Sequence, residues 1–338
     1  MSAPAVSVVL SVYNGGGYLA EAVESVLGQT LADLELVVVD DGSTDGSGAV
    51  LDAFSRRDPR VRVLHQENRG LIKSLNRGVE EACGHLIARM DADDVCLPDR
   101  LDRQVQFLDA HPEVGVVGGI TRYVGPLGED LGGNWPKWAP PVLNKWRLLF
   151  GTVLCHPTVV MRREVLDRTG PYDEAAVHAE DYELWTRAMF HTEIANVPHV
   201  VLKRRKWEGT VGAQHSERQE QTAIYAMQEA HERLLGRPVE RATVAALRSL
   251  TTGRTASIGP ALRSRALDHL LDLHAAFRRH EGRESAEVRD DLGQKLLKLS
   301  RTGGVSFDVL WQALLRTPGG LLRSVGNQFR KKLPSFVR

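Results

Sequence analysis

The stretch VSVVLSVYNGGGYLAEAV, residues 6–23, decides the fold. Its first seven residues, Val6–Val12, form an almost continuous apolar run rich in β-branched side chains, which is typical of a buried strand. A glycine-rich turn follows, and then Leu19, Ala22 and Val23 recur at helical spacing. A buried strand that leads through a glycine turn into a helix is the first unit of an α/β fold.

The same alternation continues over roughly the first two hundred residues. Further strands are predicted at residues 36–39, 61–65, 86–90, 114–118, 159–161 and 197–202. Helices are predicted between them, at residues 18–29, 47–54, 72–82, 100–108 and 179–190. Residues 121–155 carry glycine, proline and three tryptophans, and we expect a long loop there. The pattern predicts a Rossmann-like, mostly parallel mixed sheet that binds ligands at the carboxyl ends of its strands.

The composition limits the class of protein. The 338 residues are 42% hydrophobic, which allows one large domain with an addition, or two domains. Lys+Arg and Asp+Glu both number 43, so the zero net charge gives no indication of a nucleic-acid partner. Cys83, Cys96 and Cys155 lack C-x-x-C spacing, which indicates reduced thiols in the cytoplasm rather than a zinc site or disulfides. No signal peptide and no apolar run near the ~18 residues of a membrane span are found, so we expect a soluble or peripheral protein.

The character of the sequence changes near residue 213. Amphipathic helices are predicted at residues 219–235, 239–249, 261–278, 286–299 and 307–315. We therefore expect a nucleotide-binding domain over residues 1–212 and a helical region over residues 213–338. After Asp308 every charged side chain is basic, and these side chains alternate with leucine, valine and phenylalanine. This tail fits either a solvated helix or peripheral contact with the anionic inner face of a membrane.

Gly15, Gly17 and Ala20 have the G-x-G-x-x-A spacing of a dinucleotide-binding turn, and an acidic pair follows about twenty residues later. An NAD-dependent dehydrogenase is therefore one interpretation. Against it, Tyr13 and its neighbour separate the strand from the glycines, and a nucleotide base could stack on the Tyr13 ring. The second strand also ends in an acidic turn, DDGSTDGS, rather than in a single acid.

The fourth strand ends in three carboxylates, Asp91, Asp93 and Asp94. Mutual repulsion makes such a cluster unfavourable unless a cation binds to it. Carboxylate oxygens suit Mg²⁺ or Mn²⁺, which proteins usually hold together with the phosphates of a substrate. The alternative to a cation site is that the three carboxylates form an acidic turn exposed to solvent. The cluster indicates a divalent cation with a nucleotide diphosphate at this edge of the sheet, where the cation neutralises a departing diphosphate.

Three separated stretches, residues 6–47, 67–104 and 156–188, resemble the family 2 glycosyltransferases, which have the GT-A fold. They contain VVVDDGSTDGS, LIARMDADD and HAEDYELW. The resemblance spans roughly residues 5–212 and does not reach the helical region. It implies an inverting enzyme that uses a nucleotide-diphosphate sugar and a divalent cation, Mn²⁺ or Mg²⁺. The sequence has no Q-x-x-R-W motif, which argues for transfer of a single sugar rather than for processive synthesis.

The resemblance implies roles for several residues around the nucleotide. Ser11 and Tyr13 lie where the end of the first strand meets the base, and Asp41 matches the acid that hydrogen-bonds the base. Lys73, or else Arg69, is the basic residue that contacts the nucleotide.

The resemblance also assigns the D-x-D motif to Asp91 and Asp93. Asp93 is then the closer metal ligand, and Asp91 faces the ribose or the water shell of the metal. Arg205 matches the arginine of a segment that contacts the diphosphate, but Trp207 stands where histidine is usual. This departure leaves the role of the segment open.

Asp181 aligns with the catalytic base, which takes the proton of the acceptor hydroxyl. The alternative role for Asp181 is that of an acid that stabilises the N-terminus of a helix. The neighbouring Glu180 is the other candidate for the catalytic base. His156 either lines the acceptor side or packs in the core, and Glu180 and Trp185 are the further candidates for the acceptor side. Trp185 is expected to pack in the core rather than to stack on a sugar.

We therefore expect a metal-dependent inverting glycosyltransferase in cell-surface glycan or polysaccharide biosynthesis. Its acceptor would be a glycan, a lipid-linked glycan or a small molecule. The alternatives are a non-catalytic module that binds a nucleotide sugar and a sugar-phosphate nucleotidyltransferase. A nucleotidyltransferase of this kind usually has a basic residue in its glycine-rich loop, whereas the loop GGGYLAEAV has none.

Overall fold

A mixed sheet organises the N-terminal part of the chain. The computed structural model describes residues 3–207, 216–252 and 258–301. Within these ranges the sheet has nine strands in the order β3-β2-β1-β4-β8-β6-β9-β5, and β7 pairs with β6. The strands are β1 Val6–Val12, β2 Leu34–Asp40, β3 Val61–His65, β4 Leu86–Asp91, β5 Val95–Cys96, β6 Val114–Val124, β7 Asp130–Trp135, β8 Val160–Arg162 and β9 Glu193–Arg205.

The described residues divide into two compact units, one formed by those up to 148 together with those between 152 and 222, and the other by 149–151 together with those from 223 onward. The helices of the first unit alternate with the strands as the sequence predicts. They are α1 Leu19–Leu27, α2 Ser47–Arg57, α3 Leu71–Glu81, α4 Arg100–Ala110, α5 Pro141–Leu148, α6 Arg163–Thr169 and α7 Glu180–Ala188. The helices that follow are α8 Ser216–Leu235, α9 Arg241–Thr252, α10 Pro260–Glu281 and α11 Ala286–Arg301.

Four parallel strands carry the polar ends that the sequence singles out. β1 pairs in parallel with β2 and β4, and β2 pairs in parallel with β3. The residues of β1, β2 and β4 are mostly buried on both faces, as the apolar runs predict. The register sets Ser11 beside Val39 and Asp91, and Val12 beside Asp40. The carboxyl ends of the three central strands therefore meet at one edge of the sheet.

The predicted long loop at residues 121–155 is wrong. β6 runs on to Val124, β7 returns along it, and helix α5 follows. The sequence hides β7 because its side chains are largely exposed and two of its residues, Gly132 and Gly133, have positive φ. It also hides α5, whose first residue is Pro141, because a proline at the first helical position resembles a loop signal.

The second unit is helical within its described residues. Its buried side chains include Val244, Leu247, Leu250, Leu270, Leu273, Phe277 and Leu292. Nε2 of His231 lies 2.7 Å from the Leu149 carbonyl oxygen, so it carries the donated proton, and Nε2 of His269 then donates to Nδ1 of His231 at 2.9 Å. Burial lowers the pKa of His231 to about 3 and that of His269 to about 4.

Several expectations fall on residues outside the described ranges. These are the helix at 307–315, the basic tail and the domain boundary at 212/213. No helix among the described residues combines the length and the apolar character needed to cross a membrane.

Candidate active site

The three carboxylates after β4 form one cluster. Asp91, Asp93 and Asp94 each offer an oxygen, and these oxygens lie within 4.8 Å of one another. The backbone N–H of Arg205 donates to Oδ1 of Asp94 at 2.8 Å, whereas the buried Oδ2 has no hydrogen-bond partner among the described residues. Burial, and then the charge of Asp91, raises the pKa of Asp93 and raises that of Asp94 well above its usual range.

This cluster fits a divalent cation. Hard carboxylate oxygens are the ligands that Mg²⁺ and Mn²⁺ prefer, and the buried Oδ2 of Asp94, which has no hydrogen-bond partner among the described residues, could bind such a cation. Asp93 and Asp91, the predicted ligands, both belong to the cluster. Asp94 is a third member that the D-x-D pattern leaves out, although its position in the sequence DADD signals it.

Two arginines that the sequence analysis missed lie beside the carboxylates. Arg89 is buried on β4 and donates from Nη1 to Oδ1 of Asp91, which lies on the same face of the strand. Burial by itself would lower the pKa of Arg89, but the charge of Asp91 more than offsets this effect, so the pKa is raised. The pKa of Arg204 is also raised, because Cys155, Asp91 and Asp94 together outweigh its desolvation. The strand alternation between positions 89 and 91 was the available signal for Arg89.

Arg205 has a different environment from Arg204. Its guanidinium donates to the backbone oxygens of Asp93, Gly125 and Pro126 and to Oε2 of Glu21 at 2.7 Å. It also lies over the ring of Tyr18, 4.4 Å from the ring centre. The predicted contact with a diphosphate stays a prediction, and the structure shows a buried side chain that joins the β4 loop to α1.

The first turn of α7 supplies two carboxylates. Asp181 is partly exposed, and its Oδ1 accepts a hydrogen bond of 2.7 Å from the backbone N–H of Tyr182. Burial raises the pKa of Asp181. Glu180 is 7% exposed, and its Oε2 has no hydrogen-bond partner among the described residues. Burial and the charge of Asp181 raise the pKa of Glu180 to about 7. A raised pKa makes a carboxylate a better proton acceptor.

One cavity joins the two groups of carboxylates. It encloses about 890 Å³ of empty space, part of it open to solvent. Its lining residues are Leu71, Arg89, Asp91, Asp93, Asp94, His156, Pro157, His178, Glu180, Asp181, Arg204, Arg205 and Gln219. We call it the acidic cavity. It brings together the predicted metal ligands, both candidates for the base, Arg205 and His156, whereas the other predicted site residues lie elsewhere.

The residues predicted to bind the nucleotide base lie around the ends of β1 and β2. Tyr13 is 54% exposed, and Ser11 is partly buried beside Asp91 in the register. Asp41 is buried, and it accepts hydrogen bonds from Nε2 of Gln66 and from the backbone N–H groups of residues 69 and 70, at 2.7–2.9 Å. Asp41 therefore holds the loop after β3. Its predicted contact with a base stays a prediction.

Gly42 is required for this loop to approach. Its φ is +80°, and a Cβ at this position would lie 2.8 Å from the backbone nitrogen of Asn68. Lys73 follows on α3, where its Nζ lies 3.5 Å from Oε2 of Glu174. Lys73 lines a separate cleft next to the acidic cavity.

His156 and Trp185 lie together in the interior. Nε2 of His156 is 2.9 Å from the hydroxyl of Tyr172, and burial lowers the pKa of His156 well below its usual range. Trp185 is fully buried and presents its ring at 77° to that of His156, with the ring centres 6.1 Å apart. The expectation that Trp185 packs in the core is met. His156 both packs and reaches the acidic cavity.

Comparison with known proteins identifies the family. The family described as glycosyl transferase family 2 matches residues 7–170. The amylovoran biosynthesis glycosyltransferase AmsE of Erwinia amylovora is 34% identical over 203 residues, which cover 59% of this chain and 75% of AmsE. The chain belongs to glycosyl transferase family 2. It is therefore a glycosyltransferase, as the sequence predicts.

Two other proteins are similar to this chain. An uncharacterized glycosyltransferase of Haemophilus influenzae is 29% identical over 229 residues, covering 65% of this chain and 71% of that protein. The crystal structure of S. aureus TarS 1–349 in complex with UDP-GlcNAc has a TM-score of 0.59 and covers 98% of this chain and 92% of that one. At 19% sequence identity this likeness concerns the fold alone. The predicted GT-A fold, with a helical C-terminal region, is confirmed.

Proposed function

We propose that this glycosyltransferase moves a single sugar from a nucleotide-diphosphate sugar to an acceptor hydroxyl, with inversion at the anomeric carbon. The observation that carries the proposal is the acidic cavity, which combines a three-carboxylate cluster with a second pair of carboxylates. The cluster suits the cation that accompanies a diphosphate. The pair on α7 suits the proton transfer that the acceptor requires.

Asp91 and Asp93, with Asp94 beside them, would hold Mn²⁺ or Mg²⁺. When bound, such a cation supplies positive charge that stabilises a leaving diphosphate. Arg89 orients Asp91 through its hydrogen bond. Arg204 adds a second positive charge at the same cavity, and we assign to it the diphosphate contact that the sequence analysis gave to Arg205.

Asp181 would act as the general base. As the acceptor oxygen bonds to the anomeric carbon, the bond from this carbon to the diphosphate oxygen breaks, and the acceptor proton moves to Asp181. Attack opposite to the leaving group inverts the configuration in a single step. Asp181 supports this role because it lines the acidic cavity and its pKa is raised. Glu180 is the alternative base.

Ser11, Tyr13 and Asp41 would bind the nucleoside, with Tyr13 offering an exposed ring for stacking. Arg69 would add a basic contact with the nucleotide in place of Lys73, whose Nζ lies 3.5 Å from Oε2 of Glu174. The resemblance to AmsE supports a role in polysaccharide biosynthesis, with a glycan, a lipid-linked glycan or a small molecule as acceptor. A cytoplasmic location, and contact of the basic tail with a membrane, complete the proposal.

The first experiment is calorimetric titration with UDP, GDP, dTDP and NAD⁺, each with and without Mn²⁺. We expect one nucleoside diphosphate to bind tightly only when the metal is present, and this result would also identify the base of the donor. Product analysis by NMR then gives the anomeric configuration. Metal-independent binding of NAD⁺ would contradict the proposal.

A further inference from the structure

A second cleft adjoins the acidic cavity. It contains about 580 Å³ of empty space, part of it open to solvent, and lies between residues 69–73 and residues 174–180. Leu71, His178 and Glu180 line both spaces, whereas Asp181 lines only the acidic cavity. Glu180 therefore lies at the junction, one residue before the proposed base.

One carboxylate oxygen of Glu180 is free to form a further hydrogen bond. Its side chain is 7% exposed, and Oε2 is buried without a hydrogen-bond partner among the described residues. A buried polar atom without a partner costs free energy, so such an atom next to a cleft indicates a ligand group that completes it. An ionised carboxylate accepts hydrogen bonds, and a protonated one can also donate. A hydroxyl both donates and accepts, so it can complete Glu180 in either form.

The remaining walls of the second cleft suit a neutral saccharide. Leu71, Ile72 and Val177 present aliphatic side chains, which can pack against the C–H face of a sugar ring. The charges of the cleft balance, since Arg69 and Lys73 stand against Glu174 and Glu180. Lys73 and Glu174 are already within 3.5 Å of each other, so the cleft offers no excess charge for a phosphate or a carboxylate.

We propose that the second cleft binds the sugar ring that carries the acceptor hydroxyl, and that Glu180 binds a second, non-reacting hydroxyl of that ring. This inference rests on the proposed function, because it takes Asp181 as the base for the reacting hydroxyl. The order of the two carboxylates along α7 then separates their tasks, one for binding and one for proton transfer. The acceptor is accordingly a saccharide unit with at least two free hydroxyls, not a simple alcohol.

Binding of acceptor probes tests this assignment. The probes are the methyl glycosides of glucose, galactose, mannose and N-acetylglucosamine, with cyclohexanol as an alcohol that has a single hydroxyl. Saturation-transfer NMR on the full chain, with and without the nucleotide and Mn²⁺, reports which probes bind. We expect at least one methyl glycoside to bind and cyclohexanol not to bind.

Two variants test the second cleft, one by removing a charge and one by filling its space. Glu180→Gln removes the charge of the carboxylate and should weaken glycoside binding about tenfold or more, because hydrogen bonds to charged groups are the strong ones. Val177→Trp fills a position that lines the second cleft alone and should abolish glycoside binding. Glu183→Gln is the matched control on the same helix, since Glu183 pairs with Arg187 and lines neither space.

The outcomes separate this inference from the proposed function. Unchanged glycoside binding in both Glu180→Gln and Val177→Trp would overturn the inference, and so would wild-type protein that binds nucleotide but no glycoside. Glycoside binding that Val177→Trp abolishes would support the cleft assignment even if no nucleoside diphosphate bound. That failure of nucleotide binding would count against the proposed function alone.

Discussion

Nε1 of Trp207 donates a hydrogen bond of 2.8 Å to Oδ2 of Asp93, and the Trp207 ring lies 5.7 Å from that of Tyr18. Trp207 stands at the position where the family resemblance leads us to expect histidine. The indole has no lone pair to offer a metal, because its only polar group is a donor. It contacts the carboxylate cluster through Asp93 instead.

This contact predicts a fluorescence signal for metal binding. Mn²⁺ bound at Asp93 would lie next to the indole of Trp207, so titration with Mn²⁺ and the bound nucleotide should quench tryptophan emission. The chain has six tryptophans, and Trp207→Phe should remove most of the quenching. Trp138→Phe, which alters a 54% exposed tryptophan, should retain it. Equal quenching in the two variants would place the metal elsewhere.

Asp94→Asn should have opposite effects on the metal-free and the metal-bound protein. The substitution removes a buried carboxylate whose pKa burial and neighbouring acids raise, so the metal-free variant should unfold at a temperature a few degrees higher. The same change removes a ligand, so Mn²⁺ should no longer raise the unfolding temperature of the nucleotide complex. Thermal unfolding with and without Mn²⁺ measures both effects. A lower unfolding temperature without metal would show that the charge of Asp94 stabilises the fold.

Much of the site could be predicted from the sequence because its residues follow strand ends. In a parallel sheet these ends meet at one edge, so Asp41, Asp91 and Asp93 could be placed there from apolar runs alone. The carboxylate cluster and the fold follow from the same local pattern.

The rest depends on contacts between distant segments, which no local pattern carries. The sequence gives no reason to assign different roles to Arg204 and Arg205, which are neighbours in a basic run. In the structure, Arg205 donates hydrogen bonds to backbone oxygens of two loops. The hairpin partner β7 was missed because an exposed strand with two glycines has no apolar period. The second cleft was missed because it joins α3 to the segment before α7, about a hundred residues later.

Arg204 and Arg205 should respond differently to the same substitution. Arg205→Met removes a buried guanidinium from four oxygen partners and should destabilise the protein by about 3 kcal/mol or more. Arg204→Met should leave stability nearly unchanged and weaken nucleoside diphosphate binding at least tenfold. Denaturant unfolding and calorimetry measure the two effects. If Arg205→Met were stable and lost nucleotide affinity, the original assignment of the diphosphate to Arg205 would hold.

Asp181→Asn should separate binding from chemistry. The amide keeps the size of the side chain but cannot take a proton from the acceptor, so transfer should fall about 10²- to 10⁴-fold. The affinity for nucleotide and Mn²⁺ should change less than threefold, since Asp181 is not part of the metal cluster. Asp167→Asn, on the exposed side of α6, is the control. Turnover within a few-fold of the wild type would transfer the role of base to Glu180.

Glu180 should make the stability of the metal-free protein depend on pH. Its pKa rises from the ordinary 4.5 to about 7 in the folded state, so the folded protein binds this proton more tightly than the unfolded chain. The stabilisation is complete below pH 4.5 and is lost as the pH rises through 7, by up to about 3 kcal/mol. Denaturant unfolding at pH 4.5 and pH 8 should therefore show a smaller loss of stability in Glu180→Gln than in the wild type.

The matched control for this pH dependence is Glu183→Gln, which changes a carboxylate already paired with Arg187. Removing that partner lowers stability at both pH values, but it should leave the fall between them as large as in the wild type. The comparison of differences cancels the titration of all other groups, because these are common to the three proteins. If Glu180→Gln and the wild type lost the same unfolding free energy between pH 4.5 and pH 8, the carboxyl of Glu180 would be ionised throughout this range. That result would rule out a group with a raised pKa where the second cleft meets the acidic cavity.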